Sequence, residues 1–308
     1  MRKKMYFKKS KPSDSLRKYI HCYWVAKVDG TKVLREINPS TNISVCFHLG
    51  HSANFRLLPN DFCKGQKVSF DTIIKWVNCN SSIVQNVIIG PHRRLMVETS
   101  ENGFYALGIE FKTGMRKIFF GNKIINLSDK ILPLDSSDIL LSKIPTIISE
   151  CRLEDMFGCI DKYLTNNMSQ YIQNKYVDEN LYELIEEVSE NPFDAKVSLM
   201  DDRMNTCLRN IEYYFKQYTG LTPKQFISIK KINKVCECMI EHQESSLVEI
   251  LESCGYYDQT HINRDFKIIG GLPATLVFEN IKRQLTNSPD ALCLNYDLEG
   301  VCGFNLLM

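Results

Sequence analysis

Two sets of side chains in the C-terminal third of the chain carry chemistry worth following. Arg209, Glu212, Tyr213 and Lys216 stand at i, i+3, i+4 and i+7, and Thr260, Asn263, Arg264 and Lys267 repeat that spacing. On a helix those intervals share one face. The groups are amides, hydroxyls and cations, suited to hydrogen bonding with base edges and to holding phosphates. One solvated helix face would look the same, so a single copy carries little weight. The repetition carries more: a shift of 51 residues aligns Ile211 with Ile262, Phe215 with Phe266, Lys216 with Lys267, Gly220 with Gly271 and Leu221 with Leu272.

Each set needs a helix to present it and a core to anchor it. Leu208, Ile211, Phe215 and Tyr218 recur at helical spacing and are expected to face inward, as are Ile262, Phe266 and Ile269 in the second copy. A short helix precedes each. Ser246 and Glu249 form a capping box, Leu247, Ile250, Leu251 and Cys254 form the inward stripe, and Gly255 supplies the positive φ that ends the helix. Asp258 can then cap the next helix. Helix, tight turn, helix is the arrangement whose second member enters a DNA groove. The first copy is fainter: Val197, Leu199 and Met200 are its apolar residues, Asn205 stands at the turn and Cys207 at the cap. Asn tolerates the left-handed region better than most residues. Between the copies, Thr222, Pro223 and Gln225 open a long helix with the stripe Phe226, Ile229, Ile232, Cys236 and Met239, and with Lys230, Lys231 and Lys234 opposite.

Composition agrees with this and excludes little. The 308 residues suffice for two domains, and 44% apolar with 24% charged residues is a soluble, globular balance. No apolar run reaches the ~18 residues of a membrane span, and the basic start (Arg2, Lys3, Lys4) is followed by polar residues rather than an export signal. A cytoplasmic chain is expected to keep its twelve cysteines reduced, and none stands in a C-x2-C zinc pattern, so structural thiols are expected. The net charge of +2 hides a basic stretch: Arg203 to Lys234 holds seven bases and one acid, Glu212. Such a stripe is a footprint for a polyanion.

Taken together, residues 197–279 resemble the DNA-binding domain of AraC-type transcriptional regulators. The resemblance rests on Phe215-Lys216, Gly220-Leu221-Thr222-Pro223 and Gln225-Phe226, then on the run from Cys254 to Ile262 with Arg264, Phe266 and Lys267. It implies two helix-turn-helix units, joined by a long helix, entering successive major-groove segments. It further implies Arg209, Glu212, Tyr213, Gln259, Thr260, Asn263 and Arg264 as base readers, and Lys216, Lys230, Lys231 and Lys267 as phosphate holders. Double-stranded DNA is the implied partner, with a small-molecule effector and RNA polymerase as further ones, acting on a monomer or homodimer. Asp201 and Leu251 replace the small alanine of the pattern, and Tyr213 stands where a cation is common, which weakens the first unit more than the second. The alternative is a ligand- or metal-binding sensor whose degenerate DNA module acts through protein contacts.

Residues 1–150 read as β-rich. Ile43, Val45 and Phe47 alternate with Ser44, Cys46 and His48, and further short strands are expected at Val87–Pro91, Leu95–Thr99 and Tyr105–Phe111. A small β-barrel or sandwich is expected, giving an α+β chain whose second domain is all-α. Arg17 to Trp24, Pro39 to Gly50, Gly90 to Arg94 and Gly108 to Lys112 are similar to the poorly characterised sensor-type domain, cupin-like, that precedes such DNA-binding modules. His48, His51 and His92 could form a non-haem metal site, but no carboxylate lies at a fitting interval, so structural roles and no cofactor are expected. No catalytic constellation is present. Leu153, Met156, Phe157, Ile160 and Leu164 form a helical stripe within residues 151–192, a linker or dimerisation segment by this division. The DNA-binding domain is set at 193–281, and the tail from 282 carries no functional expectation.

Overall fold

The computed structural model describes residues 5–29, 33–50, 53–57, 83–94, 96–100, 103–120, 127–135, 138–172, 178–242, 244–256, 259–269 and 273–287. The N-terminal half contains β1 (Met5–Ser10), β2 (Ile20–Asp29), β3 (Val33–Ile37), β4 (Ile43–His48), β5 (Ala53–Leu57), β6 (Ile83–Val84), β7 (Asn86–Ile89), β8 (Met96–Ser100), β9 (Gly103–Phe111) and β10 (Ile131–Pro133). They build two antiparallel sheets, ordered β1-β2-β9-β4-β7-β10 and β3-β8-β5-β6. Among the described residues neither sheet closes on itself, so the sandwich rather than the barrel is the form adopted.

The larger sheet is the middle of three layers. One of its faces packs Cys22, Trp24, Ala26, Cys46 and Ala106 against Val33, Ile37, Phe55 and Met96 of the smaller sheet. The other packs Tyr23, Val25, Val45, Phe47, Leu107 and Ile109 against helices. Those helices are α1 (Arg116–Phe120), α2 (Ile144–Ser149) and α3 (Met156–Ile172). All six residues of β4 are therefore buried, and the polar set Ser44, Cys46 and His48 points into protein rather than water. Gly108 is required by this packing, since a Cβ there would lie 2.0 Å from the Trp24 ring.

Burying polar groups between the sheets demands partners. Arg35 donates to Glu98 at 2.7 Å, and the His48 Nε2 stands 2.6 Å from the other Glu98 oxygen. Burial works to raise the Glu98 carboxyl, but the Arg35 charge and the His48 hydrogen bond outweigh it and hold it below the usual range. The His48 Nδ1 meets the Gln85 carbonyl at 2.8 Å, and the His92 Nδ1 the Gly90 carbonyl at 2.9 Å. Both histidines thus take structural positions, while His51 lies outside the described residues.

Glu110 behaves oppositely to Glu98. Burial pushes its carboxyl upward, and the Ser44 hydroxyl that donates to it offsets only part of that. A folded pKa above the unfolded one means stability present at low pH and lost as pH rises through the folded value. Glu110→Gln is accordingly expected to raise the melting temperature at pH 8 and to leave it little changed at pH 5. Equal shifts at both pH values would contradict this.

The stripe Met156, Phe157, Ile160 and Leu164 lies on α3 and is buried in the N-terminal domain's own helical layer. α4 (Glu179–Glu190), capped by Asp178 accepting from the Leu181 N–H at 3.1 Å, instead buries Leu181, Leu184, Ile185 and Val188 in the C-terminal core. The segment expected as one linker is thus shared between two cores. The C-terminal domain continues with α5 (Met200–Met204), α6 (Leu208–Thr219), α7 (Pro223–Glu241), α8 (Leu247–Ser253), α9 (Gln259–Ile269) and α10 (Ala274–Asn287). α10 carries the domain past residue 281 and buries Ala274 and Ile281. No described helix is long and apolar enough to cross a membrane.

Candidate nucleic-acid interface

Two helix-turn-helix units are formed, α5–α6 and α8–α9, with α7 between them. The first turns at Asn205, which is left-handed at φ 45°, and the second at Gly255, φ 78°. Both expected capping boxes are made. At α7 the Thr222 N–H donates to Gln225 Oε1 at 3.0 Å and the Gln225 N–H to Thr222 Oγ1 at 3.3 Å. At α8 the Ser246 N–H donates to Glu249 Oε2 at 2.7 Å and the Glu249 N–H to Ser246 Oγ at 3.3 Å. Cys207 at the start of α6 makes no side-chain cap. Ser246→Ala is expected to cost about 1 kcal/mol in chemical denaturation at neutral pH. The Ser246 backbone N–H, and secondarily its hydroxyl, hold the Glu249 carboxyl below the usual range, a contribution present above the unfolded pKa and lost as pH falls through the folded one. Alanine keeps that N–H and loses the hydroxyl oxygen that accepts from the Glu249 N–H, so most of the cost should persist in acid; a cost that vanished in acid would place its source in the Glu249 charge instead.

The cores behind the reading faces follow the expected stripes. Ile211, Phe215, Tyr218, Ile262 and Phe266 are buried, as are Leu247, Ile250, Leu251 and Cys254. Phe215 and Phe226 meet edge to face at 5.7 Å, which fixes α6 against α7. Two expected core residues are exposed, Leu208 at 40% and Leu199 at 56%, and Val197 is half-buried. Both exposed leucines stand at the edges of helices, Leu208 as the first residue of α6 and Leu199 just before α5. The side chain of Ile269 and the residue Asp258 lie outside the described set.

Arg209, Glu212, Tyr213 and Lys216 are exposed together on α6, and Thr260 and Arg264 on α9. Gln259 and Lys267 are placed on α9 by the backbone, with their side chains outside the description. Asn263 is half-buried and already engaged within the protein. Its Oδ1 accepts from the Ala274 N–H at 2.9 Å, at the start of α10. Among the described residues its amide nitrogen makes no hydrogen bond, and it remains able to donate to an outside partner.

The lysines of α7 go elsewhere. Lys230, together with Lys234, lines a cleft of about 450 Å³ that also has Lys112, Thr113 and Asn42 of the N-terminal domain on its walls. Lys231 stands over the Phe193 ring at 5.7 Å. The helix side expected to hold phosphates is thus partly turned toward protein, because α7 buries Ile227 and Val235 as well as the expected stripe.

A set of groups that no periodicity marks connects the domains to the first unit. Arg116 donates to the Lys216 carbonyl at 2.7 Å, the Ser128 hydroxyl donates to the Gly220 carbonyl, and Lys117 stands 4.9 Å over the Tyr218 ring. The last carbonyls of a helix lack intrahelical donors, and a cation there also meets the negative end of the helix dipole. The N-terminal domain therefore caps the C-terminus of α6. Lys112 adds an ion pair to Glu186 of α4 at 2.8 Å.

Two family models match parts of the chain. Residues 202–280 match the family model of a helix-turn-helix domain, and residues 8–133 a domain of unknown function (DUF6597). Among curated proteins, the HTH-type transcriptional activator RhaS of Escherichia fergusonii is 32% identical over 66 residues, and RhaS of Escherichia coli 30% over 66. Those matches cover 21% of this chain and 23% of the relatives, so the chain aligns with under a quarter of their length. Among solved structures, ToxT from Vibrio cholerae aligns over 90% of this chain and 97% of its own, with 12% identity and a TM-score of 0.42. Residues 202–280 are thus similar to a helix-turn-helix domain family, and they follow a stretch, residues 8–133, that is similar to a domain of unknown function.

Proposed function

We propose that the chain is a sequence-specific DNA-binding transcriptional regulator in which α6 and α9 read successive major-groove segments. The observation that carries this is the pair of helix-turn-helix units with outward faces of the same chemistry, one of them turned by Gly255 and opened by a full capping box. Arg209, Glu212, Tyr213, Gln259, Thr260, Asn263 and Arg264 are its proposed base readers, with Lys216 and Lys267 on phosphates. Lys230 and Lys231 join them only where DNA reaches past the cleft and Phe193. A small-molecule effector is proposed to act on the N-terminal domain and its cleft with α7, since a ligand there would touch Thr113 and Lys112 on one side and Lys230 and Asn233 on the other.

Selection of bound fragments from random DNA tests this directly. Two half-motifs about one helical turn apart are expected, as for any two groove-reading heads on one face of the duplex. Recovery of sequences with no common motif would overturn the proposal.

A further inference from the structure

Gly220, at the end of α6, is where cations of both domains gather. The outward stripe Arg209, Tyr213 and Lys216 runs on at helical spacing to Gly220, where the chain leaves the helix at φ 79°. The N-terminal domain meets the chain there. The Ser128 hydroxyl donates to the Gly220 carbonyl, and a Cβ on Gly220 would lie 2.7 Å from Ser128 Oγ and 3.7 Å from Pro91 Cγ. The loops at Pro91 and Ser128 therefore border the extension of the reading face. They are fastened to each other. The Asp129 N–H donates to the Pro91 carbonyl at 2.8 Å, and the Arg93 N–H and guanidinium donate to the Asp129 carboxylate, each at 2.8 Å. Asp129 is left-handed at φ 56°, a conformation that a residue with a Cβ keeps only where its surroundings hold it.

This junction is basic. On the two loops Arg94 is half-exposed and Lys130 exposed; across from them Lys216, in the last turn of α6, and Lys224, in the first turn of α7, are exposed as well. Of the acids in these segments, Asp129 is taken up by Arg93, and Glu212 lies one turn back along α6. Among the described residues no carboxylate pairs with Arg94 or Lys130. Helix length puts the junction at the edge of a groove. Arg209 to Gly220 is eleven residues, ~16 Å of rise, against a major groove ~12 Å wide. A helix whose first turn reaches base edges thus carries its last turn to the phosphates. α7 then runs on for 19 residues, ~28 Å, before α8, so the junction lies at the end of the module remote from α9.

We propose that Arg94 and Lys130 of the N-terminal domain hold DNA phosphates that flank the segment read by α6, on the side away from α9. The inference rests on the reading of α6 as a groove-entering helix. The clamp of Arg93 on Asp129 fixes the shape of the loops, and Arg94 and Lys130 supply the charge. Phosphate contacts of this kind add affinity through counterion release and position the protein without reading sequence. The N-terminal domain is then part of the DNA-binding surface as well as a cap on α6.

The test is fluorescence anisotropy of the full-length chain on its selected duplex over a series of salt concentrations. The Arg94→Ala, Lys130→Ala double variant is expected to shallow the salt slope by about two units and to weaken binding roughly fivefold per residue at ~0.15 M salt. Its preference among single-base variants of the site should be unchanged. Trimming the duplex flush with the α6 half-motif should bring the parent down to the double variant's affinity, whereas trimming at the α9 end should lower both alike. Lys143→Ala, at an exposed lysine just before α2 in the same domain, should keep the parent's slope. Circular dichroism and the melting temperature establish folding, and Lys130→Gln alone serves if the double variant is not folded. An unchanged slope in a folded variant that still binds the selected duplex overturns this inference alone. So does an equal loss on the full and trimmed duplexes, because the charges would then act without touching the flank. A selection that yields no motif overturns the reading of α6 and this inference with it.

Discussion

An Arg264→Ala chain is expected to bind its selected DNA site about 1–3 kcal/mol less tightly and to lose its preference at one base pair. Arg264 is exposed on α9, and α9 is the better supported of the two reading helices. Behind it, Ile262 and Phe266 are fully buried, α8 is fixed by its capping box, and Lys282 of α10 reaches back toward the Ser245 carbonyl at 3.4 Å. A guanidinium held on so firm a support can present its fork to a guanine edge with little loss of rotamer freedom. Fluorescence anisotropy on the selected site and its single-base variants, at one fixed salt concentration, measures the effect. A loss spread evenly over all variants, with a salt slope shallower by about one unit, would instead make Arg264 a phosphate contact.

The second large effect is expected at Arg116. Arg116→Ala removes a charged donor from the Lys216 carbonyl in a nearly buried setting, which should cost about 1.5–3 kcal/mol. The consequence is expected to be local to the first head. Hydrogen exchange should speed up at residues 216–221, at the end of α6, and stay unchanged in the described residues of the second unit, 254–256 and 259–266. DNA selected with this variant should keep the half-motif of α9 and blur that of α6. Equal loss of protection in both heads would mean that Arg116 stabilises the domain as a whole rather than the first head. The first unit lacks a side-chain cap at Cys207, so the N-terminal domain's grip on the far end of α6 matters more there.

What was legible from the chain was what is local. The boxes at Thr222 and Ser246, the left-handed turns at Asn205 and Gly255, and the buried faces of α6 to α9 each depend on residues within about one or two helical turns of each other. The middle sheet was legible as strands but not as a middle layer. When both faces are covered, a period of two no longer separates inside from outside, and Ser44 and His48, which alternate with apolar residues, are buried as well. The three lysines of α7 formed a convincing basic side in the sequence because the N-terminal domain that lines the cleft against Lys230 and Lys234 lies far away along the chain. Arg116 and Ser128 left no trace at all, since they bind backbone carbonyls about a hundred residues away, and backbone carbonyls have no sequence.

Asn263 has a consequence for how the proposed reading face can change its target. Its side chain holds the first N–H of α10, so replacing it would alter which base is preferred and unfasten a neighbouring helix at once. A new binding preference is therefore reached at lower risk through Arg264, which is exposed and whose substitution leaves that hydrogen bond intact. Variation among descendants of this chain should be found at 264 before 263, which is held back by its debt to the scaffold.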